Sequence, residues 1–169
     1  WGSNQDGQCD IPRELDSEIL MTVSCGSYHS AIVTGDGRVV CWGKNTAGCC
    51  DVPTLLRNVV GICCGSKVTA ALTQEGFVVC WGYDRGGHCR VSAEFGNVVA
   101  ISCYQGIVAL SHHGTAFCSM PVQNVHFELQ GVAAISCGYL HVAAVSRDGK
   151  VIHWGSTISG RSDIPSNLE

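Results

Sequence analysis

The chain has 169 residues, of which 46% are hydrophobic and 14% charged, with 21 glycines and a formal net charge of −4. This length allows one domain that buries roughly two thirds of its unfolded surface, and the glycine content favours short strands joined by tight turns over helices. The ten basic residues are scattered, which argues against direct nucleic-acid binding, and no apolar stretch approaches the ~20 residues of a membrane span.

The chain opens with half of a unit that recurs along it. Residues 1–12 run from Trp-Gly to Ile-Pro and match residues 42–53 and 154–165. A glycine recurs six residues after the tryptophan position, where the loop must bend, and a proline marks the exit from a strand or a sheet edge. The structural repeat residues are the tryptophans Trp1, Trp42, Trp81 and Trp154 and the bend glycines Gly7, Gly48, Gly87 and Gly160.

Each complete unit begins with an apolar run that leads to a marker cysteine. Because apolar residues on successive positions are typical of strands covered on both faces, we predict that these runs form the innermost strands. The runs are residues 19–23, 59–63, 98–101 and 132–135, and the marker cysteines are Cys25, Cys64, Cys103 and Cys137.

A β-hairpin follows each marker cysteine. In the first unit, residues 30–34 and 38–42 are rich in β-branched side chains and flank Gly35-Asp36-Gly37, whose glycines suit a tight turn. The distance from cysteine to tryptophan position is nearly constant, whereas the connections vary in length, as expected for surface loops. We predict a single domain over 1–169, with a half repeat at 1–16 and repeats at 17–55, 56–94, 95–130 and 131–169.

The repeat at 95–130 is degenerate. Ser119 stands at the tryptophan position, Met120 follows it in place of glycine, and Val125 replaces the bend glycine. A buried tryptophan removes about 150–250 Å² from water. We therefore expect this unit either to pack poorly or to pack against another surface.

Twelve cysteines could suggest a disulfide framework, but most of them recur once per repeat. A residue at a fixed repeat position usually fills a packing niche, and free cysteine behaves as a small buried hydrophobe. We expect reduced structural thiols, and from them residence inside the cell, in the cytoplasm or an organelle. No Cys-x-x-Cys pair is present, and we predict no metal site and no cofactor.

The combined pattern resembles the repeats of the regulator of chromosome condensation family. The resemblance is carried by His29 and His141 three residues past a Cys-Gly pair, the Asp-Gly hairpin, the Trp-Gly pair and the Asn-x-x-Gly-Gln of residues 4–8. It implies a β-propeller with four-stranded blades, usually seven, which would need roughly 270 residues. We predict an all-β, open propeller arc of about four full blades plus a partial one, an incomplete ring. Closure with fewer blades, or ends capped by another chain, are the alternatives.

The histidines have simple structural interpretations. We predict that His29 and His141 are core imidazoles hydrogen-bonded to nearby backbone, that His112 and His113 decorate a turn, and that His153 fills space. No nucleophile, base and acid stand outside the repeat pattern, so we predict no catalytic residue and no enzymatic activity.

Binding is the use that this architecture favours, because function in such folds lies in variable loops on a rigid scaffold. We predict a non-enzymatic protein–protein interaction or scaffold module, an accessory subunit of an assembly whose other chains cover the open blade edges. The family resemblance implies a guanine-nucleotide exchange factor for a small GTPase as one alternative, and a secreted propeller-type inhibitor is another. The interaction candidates are Lys44, Asn45, Tyr83, Asp84, Arg85, Met120, His126 and Phe127.

Overall fold

The computed structural model describes residues 2–84, 96–119 and 128–155. These residues form antiparallel β-sheets and one turn of 3-10 helix at Arg13–Leu15, and none of their helices is long and apolar enough to cross a membrane. The strands are β1 (Leu20–Cys25), β2 (His29–Thr34), β3 (Val39–Gly43), β4 (Val59–Cys64), β5 (Val68–Thr73), β6 (Val78–Gly82), β7 (Val98–Cys103), β8 (Ile107–Ser111), β9 (Ala116–Ser119), β10 (Glu128–Leu129), β11 (Val132–Cys137), β12 (His141–Ser146) and β13 (Val151–Gly155).

The strands form four sheets that follow one another along the chain, here called blades 1 to 4. Their strand orders are β1-β2-β3, β4-β5-β6, β7-β8-β9-β10 and β11-β12-β13. The first strands of neighbouring blades contact each other, which places them at the inside of the arc, as predicted. Blade 4 does not pack back onto blade 1 in the described ranges, so the all-β, unclosed propeller arc is confirmed.

The number of strands per blade differs from the expected four. Within the described residues a fourth strand is present only in blade 3, as the short β10. The loop that follows β3 does not form a strand, because the Asn45 side chain binds it internally: Asn45 Oδ1 accepts the Cys50 N–H at 2.8 Å and Asn45 Nδ2 donates to Asp51 at 2.6 Å. Side chains thus take over part of the hydrogen bonding that a sheet ladder would provide.

The hairpins form as predicted, but burial is distributed differently. Every residue of the middle strands β2, β5 and β8 is buried, whereas β1 and β11 expose much of their length. In blades 1 to 3 the strand covered on both faces is therefore the middle strand and not the first. A middle strand has a partner on each side, while a first strand lies at the inner edge of its sheet with a partner on one side only.

Blade 3 is well packed despite its degenerate sequence. Cys118 and Ser119 are 1% and 5% exposed. Cys118 packs with Val142 and Trp154 of blade 4. Of the two expectations for this repeat, packing against another surface is correct, and that surface is the neighbouring blade.

The expectation of reduced thiols holds at all described cysteines but one. Ten of them are free, while Cys80 is disulfide-bonded. A cysteine at a fixed repeat position can therefore still form a disulfide where another cysteine lies within bonding distance.

Candidate functional site

Neighbouring blades are joined by the same backbone bond at each interior junction. The carbonyl of a hairpin-tip glycine accepts the N–H of the first residue of the next blade's first strand. The bonds are Val59 N–H to Gly37 O at 3.1 Å, Val98 N–H to Gly76 O at 3.2 Å and Val132 N–H to Gly114 O at 2.8 Å.

A second bond ties the inner strands together. Ser24 Oγ accepts the N–H of Cys64, and Ser102 Oγ accepts the N–H of Cys137, both at 2.9 Å. At the middle junction Cys63 replaces the serine. Its hydrogen bond to Cys103, together with burial, raises the pKa of Cys103 well above the ordinary value.

Two of the predicted structural tryptophans occupy equivalent environments. Trp42 Nε1 donates to the carbonyl of Gln8 at 3.0 Å, and Trp81 Nε1 donates to the carbonyl of Cys49 at 2.8 Å. In both cases the acceptor belongs to the segment that precedes the blade. The bend glycines of these segments, Gly7 and Gly48, have φ of 73° and 72°. Trp1, Gly87 and Gly160 lie outside the described residues.

His29 makes a different bond from the one expected. Its Nε2 pairs with Thr69 Oγ1 of blade 2 at 2.8 Å, and Thr69 in turn donates to the carbonyl of Cys49. The expectation of a backbone partner was wrong because the ring reaches across the junction. The Nδ1 atoms of His29 and His141 are buried without a partner in the described part of the chain.

Four tyrosines lie where the first and second strands of a blade join or where the third strand ends. We call this end of the blades the tyrosine face, formed by Tyr28, Tyr83, Tyr104 and Tyr139. Tyr28, Tyr83 and Tyr139 are 45%, 41% and 47% exposed. The Tyr104 ring meets Tyr139 edge-on at 5.6 Å, and its hydroxyl accepts a hydrogen bond from Ser27 at 3.1 Å.

Two lysines lie over the rings of two of these tyrosines, and the lysine and the tyrosine exchange repeat positions between the two pairs. Lys44 Nζ lies 5.1 Å from the centre of the Tyr28 ring, and Lys67 Nζ lies 5.4 Å from that of Tyr83. Tyr28 and Lys67 occupy the same repeat position, as do Lys44 and Tyr83. The cation–aromatic pair is thus kept while its two members are exchanged.

The predicted interaction residues fall into three groups. Lys44 and Tyr83 belong to the tyrosine face, with the exposed Asp84 beside Tyr83. Asn45 uses its amide inside its own loop. The remaining candidates, Arg85, Met120, His126 and Phe127, lie outside the described residues and stay predictions.

Sequence reasoning missed Tyr28, Tyr104 and Tyr139. Their signal was present, because each follows a marker cysteine within three residues. The short segment after the marker cysteine changes between repeats and carries a tyrosine, at a different place each time, in three of them.

Blade 1 exposes a second surface, here called the leading face, formed by Ile11, Val23, Cys25 and Trp42. Ile11 and Val23 are 68% and 65% exposed, and Cys25 is exposed. These side chains line a cavity of about 340 Å³. The equivalents of Val23 and Cys25 in blade 2 are Ile62 and Cys64, which are only 8% and 5% exposed.

Blade 2 carries an apolar groove that the sequence analysis also missed. Leu55 and Phe77 are 91% and 58% exposed and line a cavity of about 440 Å³. Blade 1 has Glu14 and Arg38 at these repeat positions, with Arg38 Nη1 3.9 Å from the Glu14 carboxylate. Phe77 precedes β6 and Tyr83 follows it, so the groove lies at the opposite end of the strand from the tyrosine face.

The described residues offer no group of three or more His, Cys, Asp or Glu side chains able to hold a metal ion. His112 and His113 are exposed and contact each other edge-on, with ring centres 5.8 Å apart.

Comparison with known proteins shows which repeats two stretches of the chain are similar to. The model of the regulator of chromosome condensation (RCC1) repeat matches residues 22–49 and 132–161. The chain is 28% identical over 183 residues to the probable E3 ubiquitin-protein ligase HERC6 of Homo sapiens, covering 95% of this chain and 16% of that protein.

Solved structures show the same fold. Human WBSCR16 superposes with a TM-score of 0.72 at 22% identity, over 91% of this chain and 55% of that one. Prp20p of Saccharomyces cerevisiae, studied with its binding to Gsp1p and histones, superposes with a TM-score of 0.70 at 16% identity, over 82% and 46%. The chain therefore spans about half of these propellers and less than a fifth of the ligase.

Proposed function

We propose that this chain is a repeat protein of the regulator of chromosome condensation (RCC1) type and that it acts as a non-enzymatic protein-interaction module within a larger assembly. The observation that carries this proposal is the tyrosine face. Tyrosine is enriched at the energetic centres of protein interfaces, because its ring buries a large area at a small cost in conformational entropy.

The chemistry of the tyrosine face suits a protein partner. Three exposed rings offer apolar contact, and Lys44 and Lys67 offer charge beside two of them. Lys44 is also paired with Asp6 at 3.2 Å, which leaves little net positive charge for a phosphate backbone. Other chains that cover the open blade edges are part of the same proposal.

The test compares capture by the parent chain with capture by variants of the tyrosine face. We expect a double Tyr28→Ala, Tyr139→Ala variant to lose its partners while keeping its fold, since both side chains are nearly half exposed. Phe77→Ala is the matched control, because it removes an aromatic ring that is 58% exposed at the opposite end of a blade. Equal losses in both variants, or none in the double variant, would refute the proposal.

Nucleotide exchange on a small GTPase is the second candidate function. It is supported by the fold likeness to Prp20p, whose binding to Gsp1p is recorded, and it is weakened because this chain spans 46% of that propeller. Faster nucleotide release from a panel of GTPases in the presence of the chain would favour it over a passive scaffold.

We also propose that the protein works inside the cell. Ten free thiols among the described residues support this location, whereas the disulfide at Cys80 weighs toward the alternative of a secreted inhibitor. Thiol titration in denaturant separates the two: ten or more free thiols agree with a reducing compartment, and a fully oxidised chain contradicts it.

A further inference from the structure

The inner strands of blades 2 and 3 meet through two cysteines. The residue before a marker cysteine extends toward the marker cysteine of the next blade, since the hydroxyls of Ser24 and Ser102 each accept the N–H of that cysteine at 2.9 Å. At the junction of blades 2 and 3 this position is Cys63, and the marker cysteine of the next blade is Cys103. The same backbone arrangement therefore directs the Cys63 side chain at Cys103.

Of the two adjacent cysteines in β4, only Cys63 faces blade 3. Successive side chains of a strand point to opposite faces of its sheet. Cys63 packs in one apolar cluster with Cys103 and Ile107 of blade 3, whereas Cys64 packs in another with Ala31 of blade 1. Cys63 is 8% exposed and Cys103 is 7% exposed. The two thiols are therefore enclosed together within one blade junction.

The sulfur of the marker cysteine points back toward the preceding blade. Cys137 shows this at the next junction, where its Sγ donates to the carbonyl of Ser102 at 3.4 Å. At the junction of blades 2 and 3 a hydrogen bond joins the thiols of Cys63 and Cys103 directly. Two thiols in contact can form a disulfide with a small movement of their side chains, whereas cysteines whose Cβ atoms point apart cannot.

A second pair of thiols in contact does not offer the same reaction. Cys49 and Cys50 are hydrogen-bonded to each other, and their sulfurs lie 3.2 and 3.8 Å from the carbonyl oxygen of Lys44. Because they are neighbours in the chain, a disulfide between them would close a small ring and distort the peptide unit that joins them. Cys63 and Cys103 belong to different blades, so a disulfide between them would link two parts of the fold.

We propose that Cys63 and Cys103 form an oxidation site, at which a hydroperoxide converts the two thiols into a disulfide that joins blades 2 and 3. The inference does not depend on the proposed binding function. One sulfur attacks a peroxide oxygen, the O–O bond breaks, and a sulfenic acid and a water molecule form. The second sulfur then attacks the first and displaces its hydroxyl group. The two thiols lose two electrons to the peroxide, and one disulfide and two water molecules result.

The order of the two attacks follows from protonation. The thiolate is the nucleophilic form of cysteine, and the hydrogen bond with Cys63, together with burial, raises the pKa of Cys103 well above its ordinary value. Cys103 therefore stays protonated at neutral pH, which leaves the first attack to Cys63. In the second step the proton of Cys103 leaves with the displaced hydroxyl group as water. Burial restricts the site to small oxidants that can enter the junction.

The test maps the disulfide after oxidation. The chain is reduced, freed of reductant, treated with hydrogen peroxide and alkylated, and then cut with trypsin without further reduction. Cys63 lies in the tryptic peptide of residues 58–67, and Cys103 lies in that of residues 91–147. We expect the two peptides to be joined in most of the oxidised chain and to separate when a thiol reductant is added.

Matched variants separate this pair from the neighbouring thiols. Cys63→Ser introduces the residue that the two other junctions carry, so we expect an intact fold and loss of the linked peptide. Cys64→Ser removes the other cysteine of residues 58–67 and should leave the link in place. Ser24→Cys transfers the pair to the junction of blades 1 and 2, where a new link between residues 14–38 and 58–67 should appear.

Stability gives a second measurement of the same bond. A disulfide that closes a loop of about 40 residues restricts the unfolded chain and should raise the urea midpoint by about 1 M relative to the reduced chain. The Cys63→Ser variant should show no such rise after the same peroxide treatment, and a thiol reductant should reverse the rise in the parent chain.

Four results would overturn the proposal. The first is absence of the linked peptide at peroxide concentrations that oxidise the exposed Cys9 and Cys25. The second is a link that survives in Cys63→Ser or in Cys103→Ser, and the third is a link that is lost in Cys64→Ser. The fourth is oxidation of Cys63 to a sulfinic acid with no linked peptide, because the second sulfur then fails to reach the first.

Discussion

At the scale of single residues, His29 shows how burial sets a titration. The ring is 1% exposed, and loss of hydration lowers its pKa from the ordinary value of 6.5. The hydrogen bond between His29 and Thr69 joins blade 1 to blade 2, so protonation of the His29 ring affects a contact between the two blades.

We expect the protein to lose stability as the pH falls below 6.5. Because the pKa of His29 is lowered in the folded state, the unfolded chain binds more protons between 6.5 and the folded pKa, which favours unfolding there. His29→Gln should flatten this dependence, measured as urea midpoints from pH 5.5 to 7.5. His113→Gln, at an exposed position, is the control. An unchanged slope in His29→Gln contradicts the assignment.

Asn45 provides a second test at this scale. Asn45→Ala removes two hydrogen bonds of the loop that holds the Cys49 carbonyl against Trp81, and should cost about 1–3 kcal/mol of unfolding free energy. Thr46→Ala, at the adjacent exposed position, should cost much less. Equal urea midpoints for the two variants would leave Asn45 as a surface residue available to a partner.

At the scale of the element, the blade junction is fixed by backbone as much as by side chains. Gly37 and Gly149 occupy the same hairpin position with φ of 78° and 86°. A Cβ on Gly37 would lie 3.0 Å from the N atom of Val59, whereas a Cβ on Gly149 would meet nothing within 4 Å in the described part of the chain.

We expect the two alanine substitutions to differ in cost. Gly149→Ala carries only the strain of a left-handed alanine, about 1 kcal/mol, while Gly37→Ala must also displace β4 and should cost roughly 1–3 kcal/mol more. Urea denaturation of both variants measures the difference. If both variants lose the same free energy of unfolding, the close contact between Gly37 and β4 does not contribute to the stability of the blade junction.

The sequence was informative about elements and less so about what lies between them. The repeats, hairpin turns and tryptophan positions were predicted because glycine turns and β-branched runs leave local signals. The loop after β3 was not, because its conformation depends on Asn45 binding its own backbone and on a tryptophan of the next blade. The tyrosine face was found only at Lys44 and Tyr83, since contacts between distant repeats leave no local pattern.

At the scale of the whole molecule, the arc has two unlike kinds of blade. Interior blades are supported on both faces, whereas blade 1 has its leading face open. In repeat proteins stability is approximately a sum of unit and nearest-neighbour terms, so a blade with one neighbour should open more readily.

We therefore expect the amide groups of β1 to exchange faster than those of β4, although the two strands have the same repeat position. Native-state hydrogen exchange read by mass spectrometry measures this directly. The middle strands β2 and β5 serve as an internal reference, because every residue of both is buried. Equal exchange in β1 and β4 would mean that the arc opens as a single cooperative unit.

The direction of the tryptophan bonds bears on how the chain can be made. The acceptors Gln8 and Cys49 precede Trp42 and Trp81 by 34 and 32 residues. A growing polypeptide leaving the ribosome therefore already carries each acceptor when the indole that needs it emerges. Assembly can proceed from the amino end onward, one blade after another, without waiting for residues still to be translated.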